Sequence, residues 1–213
     1  MKKIMLFFMA AALLTACSNS HKLKGSDSWI SLFDGKSLDG WKFSEQPGTF
    51  SFENGAIKVA GVRSHLYYDG PVLNHNFTNF EFKAQVMTKP GSNSGIYFHT
   101  VYQQVGFPDK GFEVQVNNSH SDWKRTGSLY DIKDIKEVYV KDDEWFTEYI
   151  RVEGKHVVIK INDKVVCEWT QPDGFTPPEG HSGRLISNGT FALQGHDPKS
   201  IVFFKDIRVR PLP

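Results

Sequence analysis

Three short runs in this 213-residue sequence put hydrogen-bonding side chains at alternate positions: Glu113-x-Gln115-x-Asn117, Tyr97-x-His99 and Gln194-x-His196. In an extended strand, residues two apart project to the same face. If Phe112, Val114 and Val116 pack inward, then Glu113, Gln115 and Asn117 share the opposite face. The same logic groups Tyr97 with His99 and Gln194 with His196. Amides and carboxylates suit sugar hydroxyls, and aromatic rings suit pyranose faces, so the row is predicted to contact a carbohydrate. A sheet face that only meets water also carries polar residues, but Lys and Glu suffice there, whereas Tyr, His, Gln and Asn dominate here.

The same runs argue against one familiar chemistry. Most glycosidases flank the scissile bond with two carboxyl groups, and laminarinase-like jelly rolls carry several on one strand. Here Glu113 is the only carboxylate in its run, so that mechanism needs a distant partner. His99, His120 and His196, with Asp122 or Asp197, could gather around a divalent metal, yet no HxH, HExxH or CxxC spacing supports one. No cofactor is predicted. The sequence has no Gly-rich phosphate loop and no GxSxG elbow. Trp41, Trp123 and Trp145 are candidates for stacking, although a tryptophan without a known place belongs more often to a core.

The N-terminus predicts where such chemistry would occur. Lys2 and Lys3 precede an apolar run, Ile4 to Leu14, that is shorter than the about 20 residues of a membrane span. A charged start, a short apolar core and small residues before a cut describe a secretory signal at 1–16. Leu14-Thr15-Ala16-Cys17 is similar to a bacterial lipobox, which predicts acylation of Cys17 and a lipid anchor as the only membrane contact. Residues 17–28 then read as the lipidated cysteine and a polar tether, and 29–213 as one domain. No Asp follows Cys17 to argue for inner-membrane retention, so the cell envelope, at the outer membrane, is the expected location. Without Lys2 and Lys3, the 25 basic residues become 23 against 24 acidic ones. That balance excludes a nucleic-acid footprint, which needs clustered basic excess. Cys167 has no intramolecular partner once Cys17 is acylated, so it is read as a small buried hydrophobe rather than half of a disulfide.

The elements that must position the polar row are strands. Phe50 to Ala60 alternates on both sides of Asn54-Gly55, the dipeptide of a type I′ hairpin. Alternation returns at 80–86, 96–99, 112–117, 150–161, 165–169 and 191–196, and the chain closes on Ile201 to Arg210. No stretch makes a persuasive amphipathic helix. Many short strands with close turn signals predict an all-β sandwich of two antiparallel sheets, with 17 Phe residues to fill the space between them.

Longer blocks then carry a resemblance. They are Ile30 to Trp41 (ISLFDGKSLDGW), Asn93 to Phe98, Gly111 to Gln115, Thr126 to Tyr130, Glu144-Trp145, Leu193 to His196 and Phe203 to Arg208. In these the chain resembles the 3-keto-disaccharide hydrolase (DUF1080) domain family across almost all of 29–213. It departs at His99, where the family usually has Arg, at Gly195, within its last block, and at Asp131 to Asp134, which lack the usual small residues after Tyr130. The resemblance implies a concanavalin A-like jelly roll and a hydrolase or lyase acting on 3-keto-glycosides. A ketone at C3 acidifies the C2 proton; a base removes it, the enolate expels the C1 substituent, and water adds to the enone. That route needs a base, an acid and an enolate stabiliser, not two opposed carboxylates. Glu113 or His196 would be base or acid. Tyr97, His99, Gln115, Asn117, Tyr130, Lys141 and Gln194 would bind the sugar or stabilise charge. A non-catalytic carbohydrate-binding module and a conventional endo-glycosidase are the alternatives.

Overall fold

The computed structural model describes residues 28–213. The expected signal segment, Cys17 and most of the tether lie outside the described residues. In chain order the strands are β1 (Ile30–Ser31), β2 (Trp41–Phe43), β3 (Phe50–Glu53), β4 (Ala56–Ala60), β5 (Ser64–Tyr68), β6 (Phe80–Thr88), β7 (Ser94–Thr100), β8 (Phe112–Val116), β9 (Phe146–Glu153), β10 (His156–Ile161), β11 (Lys164–Thr170), β12 (Thr190–Gly195) and β13 (Ile201–Pro211). They form two antiparallel sheets. The larger runs β11-β10-β9-β6-β13-β4-β3, with β1 added to β13, and the smaller runs β2-β5-β12-β7-β8. This is the expected all-β jelly-roll sandwich.

Local chemistry accounts for the hairpins. Asn54 and Gly55 both take positive φ, as a type I′ turn requires, and β3 pairs with β4 from Phe50↔Val59 to Glu53↔Ala56. Asn162 and Asp163 do the same between β10 and β11. Alternation on β6, β9 and β10 sends Phe80, Phe82, Phe146, Ile150, Val152, Val157 and Ile159 to the inter-sheet layer, where all are buried. Phe191 of β12 is the centre of that layer, with ring centroids 4.7 Å from Phe77 and Phe82 and 4.9 Å from Phe80. Burying each such ring contributes about 1.5–3 kcal/mol. Trp41 is part of this core, while Trp123 and Trp145 are exposed on the surface. Cys167 is buried and unpaired, as the sequence predicts.

The smaller sheet positions the site. β5, β8 and β12 are buried at every residue, on both faces. Their inner side chains meet the core, and their outer ones are covered by the loops 101–110, 118–135 and 171–189. Burial on the outer face marks a cavity beneath those loops.

Candidate active site

Glu113, on β8, projects onto the outer face of the smaller sheet. Its pairing partner there is Tyr97 of β7. Tyr97 Oη donates to Glu113 Oε2 at 2.8 Å, and Gln194 Nε2, from β12, donates to Glu113 Oε1 at 2.9 Å. With its amide turned to donate, Gln115 reaches the same Oε1 at 3.2 Å and the Ser94 carbonyl at 3.1 Å. Glu113 is only 5 % exposed. Burial pushes its pKa above the usual carboxylate range, while the Tyr97 hydrogen bond, the Arg184 charge and the Gln194 hydrogen bond oppose the shift. Burial and the Glu113 charge raise Tyr97 well above its ordinary range, so it stays protonated and donates. A Cβ on Gly95 would lie 2.5 Å from Glu113 Oε1. Glycine at that position is what lets the carboxyl group lie flat across β7.

A cavity of about 250 Å³ opens above this group. Tyr97, Glu113, Gln115 and Gln194 line its floor, and Asn93, Phe107, Asp122, Tyr130, Asp131, His181, Arg184 and His196 line its walls. His196 follows β12 directly. Its Nδ1 lies 3.0 Å from Asp197 Oδ2, which also accepts from Ser200 Oγ at 2.6 Å. Partial burial works against the Asp197 charge, but the Ser200 and His196 hydrogen bonds prevail and bring it down to about 2. A carboxylate that fixes one ring nitrogen leaves the other, Nε2, for proton transfer. His120 lies edge-on to His196, with ring centroids 5.8 Å apart.

The opposite wall carries charge that short runs could not reveal. Asp131 is held by Lys124 and by His181, whose Nε2 is 3.0 Å from Asp131 Oδ2. Lys124 Nζ sits 3.8 Å from the Tyr130 ring centroid, and the Arg184 guanidinium 5.2 Å from it. Arg184 is 5 % exposed, yet its Nη1 is buried without a hydrogen-bond partner. Gln194 Oε1 is likewise buried and unpartnered. An unmet buried polar group costs about 1–3 kcal/mol. Here an unmet donor and an unmet acceptor line one cavity, the arrangement expected where a polar ligand completes the bonding.

The structure therefore gathers Tyr97, Glu113, Gln115, Tyr130, Gln194 and His196. Three expected residues do not join them. His99 takes φ +55 at the end of β7, where the pairing with β12 shifts register. Alternation with Tyr97 breaks there, and the ring turns inward against Phe80 and Phe98. Its Nε2 lies 2.8 Å from the Thr78 carbonyl, and its Nδ1 accepts from Ser187 N–H at 3.3 Å. Asn117 keeps its strand face but lies beneath the loop that follows. Its Nδ2 donates to the Asp122 and Lys124 carbonyls at 2.9 and 2.8 Å, and its Oδ1 accepts from His120 N–H at 2.9 Å. It shapes the wall without lining it. Lys141 is exposed, on a loop whose backbone meets Asn118 rather than the cavity. The residues missed are Asn93, Phe107, Asp131, His181 and Arg184. Asn93 stood in a resembling block, whereas the others sit in irregular loops with no periodicity to follow. Of the three histidines considered for a metal, only His120 and His196 approach each other, and the described residues hold no cluster of three metal-ligating side chains.

Fold and cavity together define a jelly roll with a cavity lined by polar and charged side chains on one sheet face. Residues 28–210 match the 3-keto-alpha-glucoside-1,2-lyase-like domain, and the chain belongs to that family. It is on that ground a hydrolase-type enzyme. A protein of Bacteroides thetaiotaomicron named 3-keto-disaccharide hydrolase is 29 % identical over 234 residues, which cover 88 % of this chain and 79 % of that protein. Among solved structures, one described as a putative glycosyl hydrolase from Parabacteroides distasonis superposes with TM-score 0.73 at 22 % identity, covering 87 % of this chain and 94 % of that one. The exoplasmic/lumenal domain of VIP36, solved with Ca2+ and Man3GlcNAc, superposes with TM-score 0.57 at 11 % identity, covering 86 % and 88 %. These two likenesses show the fold alone.

Proposed function

We propose that the cavity cleaves 3-keto-glycosides by elimination across C1 and C2, followed by hydration. Glu113 takes the C2 proton. The C–H electron pair moves toward the C3 carbonyl, and the enolate oxygen is met by Arg184 Nη1. The enolate then re-forms the ketone and expels the C1 oxygen, which His196 protonates from Nε2 with Asp197 holding the ring. Water adds across the resulting enone and releases the 3-keto sugar. The observation that carries this reading is the state of the carboxylates. Of the carboxylates at the cavity whose pKa is displaced, Glu113 alone is raised, by burial, while Asp131 and Asp197 are lowered. Asp131 is engaged by Lys124 and His181, Asp197 by His196 and Ser200, and Asp122 Oδ1 by the Lys124 N–H. The cavity also sets a cation suited to an enolate, Arg184, within electrostatic reach of Glu113.

The test offers 3-keto-glucosides and their unoxidised counterparts to wild type, Glu113→Gln and His196→Asn. Wild type is expected to release aglycone from the keto substrates only. Glu113→Gln should lose about 10²–10⁴ in rate, the usual worth of a general base. His196→Asn should lose less with an aglycone that leaves without protonation, such as 4-nitrophenol. Release from the unoxidised glucosides, or turnover undiminished in Glu113→Gln, overturns the reading.

The lipobox at Cys17 and the polar tether support a location for this chemistry at the cell envelope, with the domain held at the outer membrane by acyl chains. Two or more chains anchor firmly where one holds marginally.

A further inference from the structure

Beside the cavity, residues 101–110 cross the outer face of the smaller sheet as a self-contained strap. Gln103 is its internal tie: Nε2 donates to the carbonyls of Val105 and Phe107 at 2.8 Å each, and Oε1 accepts from Asp109 N–H at 3.0 Å. Its ties to the rest of the chain include a bridge from Lys110 to Gly183 and the cations of Lys42 and Arg63, 3.8 and 5.3 Å from the Tyr102 and Phe107 ring centroids. Gly106 N–H meets Glu45 Oε1 at 3.3 Å, Tyr102 Oη meets the Phe43 carbonyl at 3.2 Å, and Lys110 Nζ meets the Asn188 carbonyl at 2.7 Å. Of the eleven large hydrophobic side chains exposed among the described residues, four are on this one loop: Val101, Tyr102, Val105 and Phe107. Gly111, with φ +91, ends it.

Under the strap lies His65 of β5. It pairs in register with Gln194 and stands edge-on to Tyr97, with centroids 5.4 Å apart. Phe107 covers it at 5.8 Å, and itself lies 6.1 Å from His196. His65 is wholly buried, and both its ring nitrogens lack a hydrogen-bond partner. A neutral imidazole offers one donor and one acceptor, and neither is used. On the far side of the strap a second cavity, about 270 Å³, is lined by Tyr67, Asp69, His75, Thr100, Tyr102 and Thr190. Tyr67 and Tyr102 meet edge to face at 5.4 Å. His65 lines neither cavity, but its neighbours Gln194 and Tyr97 line the first and Tyr67 the second, and the strap gives Phe107 to one and Tyr102 to the other.

We propose that residues 101–110 gate a second sugar subsite, in which His65 hydrogen-bonds a hydroxyl pair and Tyr67 and Tyr102 receive the next ring. With the strap down, the first cavity takes a disaccharide-sized ligand. With it lifted, the two cavities join and the site admits longer α-linked glycans. The proposal rests on reading the first cavity as a sugar site, but not on the reaction assigned there.

Binding tests it without chemistry. Maltose and maltotriose are titrated calorimetrically into wild type, His65→Phe and Phe107→Gly. Wild type should bind maltotriose more tightly by about threefold to tenfold, the worth of one hydrogen bond in a binding constant. His65→Phe, which keeps a ring but offers no donor or acceptor, should erase that preference with no fall in melting temperature. Phe107→Gly should widen it. Equal affinities in wild type, binding of neither sugar, or a preference that survives His65→Phe overturns the proposal. Turnover of 3-keto substrates without a maltotriose preference sinks the strap alone; a preference without turnover sinks the assigned reaction alone.

Discussion

Glu113 owes its character to a balance between a buried strand face and the three donors around it. Because the Tyr97 hydrogen bond lowers a pKa that burial raises, Tyr97→Phe should raise it further. A base works deprotonated, so the acid limb of kcat/KM is expected to sit above the ordinary carboxylate value of 4.5 in wild type and to move to higher pH in Tyr97→Phe. A profile that stays in place would detach Glu113 from the proton transfer. Glu113, Gln115, Tyr97, Gln194 and His196 were legible in the sequence because alternation on straight strands fixes their face. His99 was not, since one positive φ at a register shift turns it inward. Arg184 was not, because nothing in an irregular loop tells which side chain will be buried with an unmet N–H.

At the scale of an element, β9 carries an unexpected group. Glu148 alternates with Phe146 and Ile150 and so faces the core, fully buried, with neither carboxyl oxygen hydrogen-bonded. Burial raises its pKa well above 4.5, so the folded protein holds it neutral. Below 4.5 both folded and unfolded states are protonated and it costs no ionisation energy. As pH rises past 4.5 the unfolded chain releases the proton and the folded chain does not, so stability falls until the folded pKa is reached. Glu148→Met should therefore be more stable than wild type at neutral pH, by about 1–3 kcal/mol from the unmet polar group alone. The gain should shrink in acid. Chemical denaturation across pH checks this, and a gain independent of pH refutes the ionisation argument. Ten of the thirteen strands were readable from period-two patterning and from Asn54-Gly55 and Asn162-Asp163; β1, β2 and β5 were not, the first two being two and three residues long and β5 buried on both faces, and Glu148 is a carboxylate at a core position that the pattern did not announce.

For the whole molecule, the proposed anchor makes a prediction separate from the fold. If Cys17 is acylated, Cys17→Ser should move the protein from the membrane fraction to the soluble periplasm while leaving kcat on a soluble keto-glucoside unchanged. Fractionation with labelled palmitate checks both, and membrane retention of the variant would refute the anchor. The sequence by itself determined the two-sheet architecture, the family and the polar strand face, because period-two alternation and turn dipeptides act locally and are written residue by residue. Only the tertiary structure decided which polar residues share a cavity, that Arg184 and His181 close it, and that a strap covers His65. Those outcomes depend on how irregular loops pack over a sheet, and loop packing is set by contacts between residues far apart in the chain, which no local pattern encodes.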